Sequence, residues 1–347
     1  MSIDKIKKVK IIYFLIELLL NYSLKILVRK KIALGTWSWG NKLLWDYNPT
    51  FDEELFKVYK EALKRGFSLI DTADSYGTGK LNARSEKLLG SFSKRISKGQ
   101  LKKIKIATKL APYPWRLGRK GLTRPYFNSL ERLNKKLNVV QLHWSTARYN
   151  PLQEVQLLNN LCDLIDEGNT FQLGLSNIGP HRLKQLITFL EERGHKIHSV
   201  QVQFSLLSPD LQKQKIVQEV CKKNKINLLG YSPLAFGILC NDTYDYSKIK
   251  NSWLRNYIFN VYEKPSLKLR KCIKEIASRR SVSMAQVAIN WCCYQGVIPI
   301  IGLRKVNQVI DVSNILKWDL NKKEFESLEY YSKEIKIRMP MNPFTSK

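Results

Sequence analysis

From Lys31 onward, short apolar runs alternate with segments of helical period, and no other feature narrows the fold as much. The runs are Ile32 to Leu34, Ser68 to Ile70, Ile104 to Thr108, Val139 to Leu142, Phe171 to Leu175, Val200 to Phe204, Ile226 to Gly230 and Val297 to Ile301. Bounded apolar runs of this length read as strands buried on both faces. Between them, Asp52 to Arg65, Arg84 to Lys94, Arg124 to Lys136, Leu152 to Glu167, Pro180 to Arg193, Leu211 to Lys223, Ser266 to Arg279 and Met284 to Tyr294 read as helices. That order implies right-handed β-α units around a parallel sheet, and eight evenly spaced strands close on themselves more readily than they stay open. The expected fold class is α/β, a single (β/α)8 (TIM) barrel with its chemistry at the C-terminal face of the strands.

Gly66, Gly168 and Gly194 each follow a polar helix end, where a left-handed residue commonly stops a helix. The longest stretch without clear period, Ala235 to Pro265, is expected to be a lid or specificity loop. No repeat or low-complexity linker divides the chain. We expect a barrel domain over residues 31–335, an N-terminal extension over 1–30 and a tail over 336–347.

Lys and Arg total 59 against 29 for Asp and Glu, a formal charge of +30, which favours anionic ligands and cofactors. The lysines are scattered over helix-like segments with no zinc-finger spacing or other nucleic-acid-binding motif, so a lysine-rich surface is the simpler reading than a nucleic-acid partner. Six cysteines form no C-x-x-C pair, which argues against a zinc site or a disulfide framework and for reduced, buried thiols. His181, His195 and His198 lack ligand spacing and read as surface or capping residues. Before the barrel, Lys5, Lys7, Lys8 and Lys10 precede an apolar run, Ile11 to Leu20, that is too short to span a bilayer and is interrupted by Glu17. It reads either as a signal segment with a basic n-region or a leader directing the chain to an organelle, or as an amphipathic helix packed against the barrel, with the cytoplasm as the competing location.

Four ionisable residues close three of the apolar runs: Asp71 and Tyr76 in S-L-I-D-T-A-D-S-Y-G, Lys109 in I-K-I-A-T-K-L and His143 in V-V-Q-L-H-W. Reducing a carbonyl needs a hydride donor, a proton donor for the developing alkoxide and a polar clamp on the oxygen. Tyr76 suits the proton donor, but its reference pKa of about 10 calls for a neighbouring cation. Lys109 can supply that cation, Asp71 can hold the lysine, and His143 can orient the carbonyl. Each residue alone is weak evidence, because strand-end residues often cap or pack. Four on successive strand ends resist that explanation.

D-T-A-D-S-Y-G with A-T-K and Q-L-H-W resembles the aldo-keto reductases from the first strand nearly to the C-terminus. That resemblance implies a catalytic tetrad of Asp71, Tyr76, Lys109 and His143, and NADPH/NADP+ as cofactor. L-G-L-S-N implies that Ser176 and Asn177 hold the nicotinamide carboxamide, joined by Gln203. Tyr231 in Y-S-P-L is implied to stack on the nicotinamide, with Ser232 and Leu234 near the pyrophosphate. In I-I-G-L-R-K-V-N-Q-V-I-D-V, Gly302 is implied at the turn, Arg304 or Lys305 beside the 2′-phosphate, and Gln308 and Asp311 near the adenosine. The chain departs from the family at Val312, where many members carry Asn, which removes a polar adenine contact. No G-x-G-x-x-G follows a strand and no G-x-S-x-G is present, which disfavours a Rossmann dehydrogenase and a hydrolytic triad.

Further tracts, among them G-T-W-S-W-G-N-K-L-L-W, Y-P-W-R-L, Q-L-H-W-S-T-A and P-L-Q-E, resemble one branch of that family, the plant chloroplast pyridoxal reductases. Y-P-W-R-L places Tyr113, Trp115 and Arg116 on a loop over the barrel mouth, with Trp39, Trp45 and Trp144 expected to add aromatic wall, although ordinary loop packing explains them as well. A flat heteroaromatic aldehyde suits such a pocket. The expected activity is NADPH-dependent reduction of pyridoxal to pyridoxine, with no metal, no nucleic-acid partner and no stable membrane span. The alternatives are a broad aldehyde and ketone reductase and a low-turnover NADP(H)-sensing regulatory subunit.

Overall fold

Eight parallel strands close into a barrel in simple chain order in the computed structural model, which describes residues 30–241, 253–343 and 345–346. They are β1 (Ala33–Gly35), β2 (Leu69–Asp71), β3 (Lys105–Leu110), β4 (Val139–Leu142), β5 (Gln172–Ser176), β6 (Ser199–Gln203), β7 (Asn227–Tyr231) and β8 (Ile298–Gly302). The pairing of β1 with β8, Gly35 opposite Gly302, closes the ring. Strand interiors such as Ile70, Val140, Leu175, Val200 and Ile301 are buried, as runs flanked on one side by the barrel centre and on the other by helices must be.

Five strands, β1, β2, β5, β7 and β8, run one residue further toward the C-terminus than their apolar cores suggest, at both ends. Side-chain polarity ends an apolar run, whereas backbone pairing does not stop there. Gly35 still pairs with Asp71, Ser176 with Gln201, and Gln203 with Tyr231. Asp71, Lys109, Ser176, Gln203, Tyr231 and Gly302 therefore stand on the last rungs of the ladder rather than beyond it, on the most rigid part of the scaffold.

The outer helices follow the sequence pattern closely; Leu211–Lys223 and Met284–Tyr294 have the expected bounds. Side chains cap their starts: Asn150 accepts from Gln153 N, Asp210 from Lys213 N and Ser283 from Gln286 N. Ala235 to Pro265 departs from expectation. It contains a 3-10 turn, Ala235–Cys240, and an α-helix, Trp253–Glu263, which buries Phe259 and Tyr262 and leaves Trp253 and Tyr257 exposed. Helices at Lys42–Trp45, Lys98–Lys102, Val306–Ser313 and Lys322–Lys333 also went unread in the sequence.

All six cysteines are free, four of them buried. Among the described residues no helix is long and apolar enough to cross a membrane, and no cluster of potential metal ligands occurs. The basic and apolar segment before Lys30 lies outside the described residues. Within residues 336–347, the Met339 amide donates to Leu207 O, and the Ser346 hydroxyl accepts from the Gly179 amide.

Candidate active site

A buried lysine organises the mouth of the barrel. Lys109, on β3, directs its ammonium to three acceptors: Asp71 Oδ2 at 2.7 Å, Thr72 O at 2.7 Å and the Tyr76 hydroxyl at 3.0 Å. An ammonium has three donors, so each acceptor is matched by one. Asp71 is fixed from the other side, its Oδ1 accepting from Gln201 Nε2 at 2.8 Å and from Gln141 Nε2 at 3.5 Å. Gly174 makes room for this layer, because a Cβ there would lie 2.6 Å from Gln141 Cγ.

His143 directly follows β4, and its ring stands edge-on to Tyr76 with centroids 5.8 Å apart. Its Nδ1 lies 3.2 Å from the Ser75 hydroxyl. If the serine donates, the neutral imidazole carries its proton on Nε2 and can offer it to a carbonyl oxygen. Burial holds His143 well below its ordinary pKa, and the positive charges of Lys109 and Arg116 add to the effect, so the ring is neutral at physiological pH. Burial likewise raises Tyr76 above the ordinary phenol, although Lys109 pulls in the opposite direction. Lys109 lowers the phenol's pKa as a neighbouring cation should, but desolvation outweighs it. The ammonium, 3.0 Å from the hydroxyl, stands where it would stabilise a phenolate. Lys109 itself is raised, with Asp71 and Tyr76 overcoming its burial.

Side chains from the following loops build an aromatic surface beside this centre. His143 packs on Trp144 with centroids 5.1 Å apart, Trp144 meets the edge of Tyr113 at 5.9 Å, and Tyr113 stacks on Trp115 at 4.7 Å and 13°. The outer ring, Trp115, is 74% exposed. Trp39 does not belong to this surface. It is fully enclosed, edge-on to Phe92, with its indole N–H donating to Leu303 O at 2.9 Å, and is a core residue. Two residues earlier, half-buried Trp37 packs against Phe236, with ring centroids 5.9 Å apart. Trp45 is covered by the Arg255 guanidinium, 4.5 Å from its ring.

The segments expected to hold a dinucleotide lie at the ends of β5 to β8. Ser176 and Asn177 are buried, Asn177 in the left-handed region at φ 56°. Asn177 Nδ2 donates to His143 O at 3.0 Å and to Ser176 Oγ at 3.2 Å, and its Oδ1 accepts from the Tyr231 hydroxyl at 2.8 Å. Ser232, also left-handed, and Leu234 lead into the turn after β7. Gly302 borders open space, where a Cβ would meet nothing within 4 Å. Arg304 and Lys305 follow, and neither forms an ion pair among the described residues. Gln308 Oε1 accepts their backbone N–H groups at 2.9 and 3.1 Å, so it shapes the turn itself. Asp311 has both oxygens engaged, by Ser283 Oγ at 2.7 Å and Gln286 Nε2 at 2.6 Å, and Val312 is buried. Unpaired cations beside an unobstructed glycine turn suit a phosphorylated cofactor.

Gln141, Gln201, Ser75, Asp74 and Trp37 were not singled out in the sequence. The two glutamines had a signal, a polar residue inside an apolar strand run, which requires a buried partner.

With this geometry in place, the comparisons decide the family: residues 31–333 match the family model described as "Aldo/keto reductase family". The chain belongs to the aldo-keto reductases. It is 41% identical over 319 residues to the chloroplastic pyridoxal reductase of Arabidopsis thaliana, covering 91% of this chain and 87% of that one. It is 29% identical to a putative aryl-alcohol dehydrogenase of Schizosaccharomyces pombe, covering 89% and 93%. A glycerol dehydrogenase from Gluconobacter oxydans shares the fold, with a TM-score of 0.71 at 23% identity over 90% of this chain and 94% of that one. Aldo-keto reductases are oxidoreductases that use NAD(P)H, and this chain is an enzyme of that kind.

Proposed function

We propose that this aldo-keto reductase uses NADPH to reduce pyridoxal to pyridoxine. The observation that carries the reading is the Asp71–Lys109–Tyr76 chain facing His143, with stacked aromatic rings continuing from His143 to Trp115. When bound, the nicotinamide supplies hydride to the aldehyde carbon. Tyr76 gives its hydroxyl proton to the carbonyl oxygen, and Lys109, fixed by Asp71, stabilises the phenolate left behind. His143 orients the same oxygen through Nε2, the nitrogen turned from Ser75. Tyr113, Trp115 and Trp144 offer rings on which a pyridine can stack. A relative named as a pyridoxal reductase, at 41% identity over nearly the whole chain, supports this substrate.

Arg304 and Lys305 support NADPH over NADH, since neither is held in an ion pair among the described residues and both suit a phosphate monoester. An Arg304→Ala, Lys305→Ala protein should lose its preference for NADPH over NADH; an unchanged ratio of kcat/KM overturns that assignment. A second reading, a broader aromatic aldehyde reductase, is favoured by the exposure of Trp115 and by the relative named as an aryl-alcohol dehydrogenase. Steady-state NADPH oxidation with pyridoxal and 4-nitrobenzaldehyde separates the two, and less than about threefold preference for pyridoxal removes the narrow one. Protein that binds NADPH yet oxidises none with any aldehyde would be a sensing subunit instead. The basic N-terminal segment and the chloroplastic relative support a plastid-type location, which sequencing of the mature N-terminus checks.

A further inference from the structure

Three tracts of the sequence converge beside the active site without touching the reacting atoms. Asp74 lies in the turn between β2 and Tyr76, Arg116 closes the Y-P-W-R-L loop, and Gln153 belongs to P-L-Q-E. Asp74 is buried; its Oδ2 accepts from Arg116 Nη1 at 2.5 Å and its Oδ1 from the Ala111 amide at 3.2 Å. The same Arg116 nitrogen donates to Ala111 O at 2.7 Å, so the ion pair closes the loop onto its own start. The guanidinium carbon lies 4.9 Å from the centre of the Tyr113 ring, on the residue that stacks with Trp115. From the helix side, Gln153 Nε2 donates to Tyr113 O at 2.9 Å and Arg116 O at 3.1 Å. Tyr113 is also hydrogen-bonded to Ser75, whose hydroxyl meets His143 Nδ1.

A loop carrying two large rings over an open mouth would ordinarily sample several positions, and ordering it during binding would cost affinity. Here it is bolted to the turn that carries Tyr76. We propose that Asp74 and Arg116 are positioning residues that determine specificity: their buried ion pair fixes the Tyr113 and Trp115 rings against the catalytic turn, so that a flat aromatic aldehyde is held with its carbonyl at Tyr76 and His143. A small aliphatic aldehyde has no ring to stack and gains little from the bolt. This inference rests on the reading of the substrate as an aromatic aldehyde. Its main consequence is for binding of the ring, because neither side chain exchanges a proton with the carbonyl and burial, more than the charge of Arg116, keeps His143 neutral.

The test is steady-state kinetics of wild type, Asp74→Asn, Arg116→Gln and the double variant with pyridoxal, 4-nitrobenzaldehyde and propanal. Each single variant should raise KM for the aromatic aldehydes tenfold or more, with kcat and the propanal parameters within threefold. The double variant should be no worse than the poorer single, because one bolt cannot be lost twice. If Asp74→Asn does not fold, Arg116→Gln against Arg116→Lys carries the test: the lysine should recover part of the KM that the glutamine loses. An equal rise of KM for propanal, a loss in kcat alone, or unchanged aromatic KM values overturn the proposal. Wild-type protein that reduces 4-nitrobenzaldehyde but not pyridoxal sinks the pyridoxal reading alone, and the KM for 4-nitrobenzaldehyde then decides this one.

Discussion

The Lys109 ammonium donates to the Tyr76 hydroxyl at 3.0 Å while burial keeps that hydroxyl a weaker acid than a free phenol. In the proposed mechanism the proton therefore stays on Tyr76 until a basic alkoxide develops, with the compensating charge of Lys109 beside the resulting phenolate. Tyr76→Phe should lower kcat for aldehyde reduction by on the order of a hundredfold or more while NADPH binding changes little. Fluorescence titration with NADPH and single-turnover kinetics check both halves; equal turnover would remove Tyr76 from the role of acid.

Lys109 and Asp71 are almost wholly enclosed, with side-chain exposures of 1% and 3%. Lys109→Met leaves the Asp71 carboxylate with only its two glutamine amides, and a buried charge stripped of its partner costs about 3–5 kcal/mol. Urea denaturation should register that loss, and Asp71→Asn introduced beside Lys109→Met should recover part of it. A double variant as unstable as the two losses added would show that the residues do not act as a pair.

Trp39 and Trp144 should separate stability from affinity. Trp39→Phe loses the bond to Leu303 O and should destabilise the protein by about 1–3 kcal/mol, with KM for pyridoxal within about twofold. Trp144→Ala should raise that KM with a smaller effect on the melting temperature. The reverse pattern would put Trp39 back in the pocket.

Burial pushes the Asp74 carboxyl from its ordinary 3.8 up to about 6, against the lowering effect of Arg116. Because the folded state holds the proton more tightly, this group's contribution to stability is full below about pH 4 and is lost as pH rises through about 6. The difference is worth about 3 kcal/mol. Comparing wild type with Asp74→Asn by urea denaturation at pH 4 and pH 7 should reveal that loss in wild type alone, and parallel pH dependences in the two proteins would contradict it.

The barrel was readable because its strands are apolar runs and its helices carry caps, both local properties. What the sequence hid depends on direction. Trp37 and Trp39 leave β1 two residues apart, and nothing in the sequence says that the chain turns the second indole inward beneath Leu303 and the first toward Phe236. The helix Trp253–Glu263 was unread because it buries only Phe259 and Tyr262, too narrow a stripe to impose a period on a segment rich in Tyr and Asn. The four candidate catalytic side chains were legible as residues at or just past strand ends, but the two glutamines that fix Asp71 act across 70 and 130 residues of chain, and the arginine that fixes Asp74 across 42. Only the fold brings such distant groups together.

Residues 342 and 346 reach the same rim of the barrel. Asn342 is hydrogen-bonded to the Tyr231 side chain, which itself donates to Asn177, and the Ser346 hydroxyl receives the Gly179 amide just beyond Asn177. Replacing Ser346 with alanine would remove the acceptor of the Gly179 amide and loosen the shelf where the nicotinamide is proposed to rest.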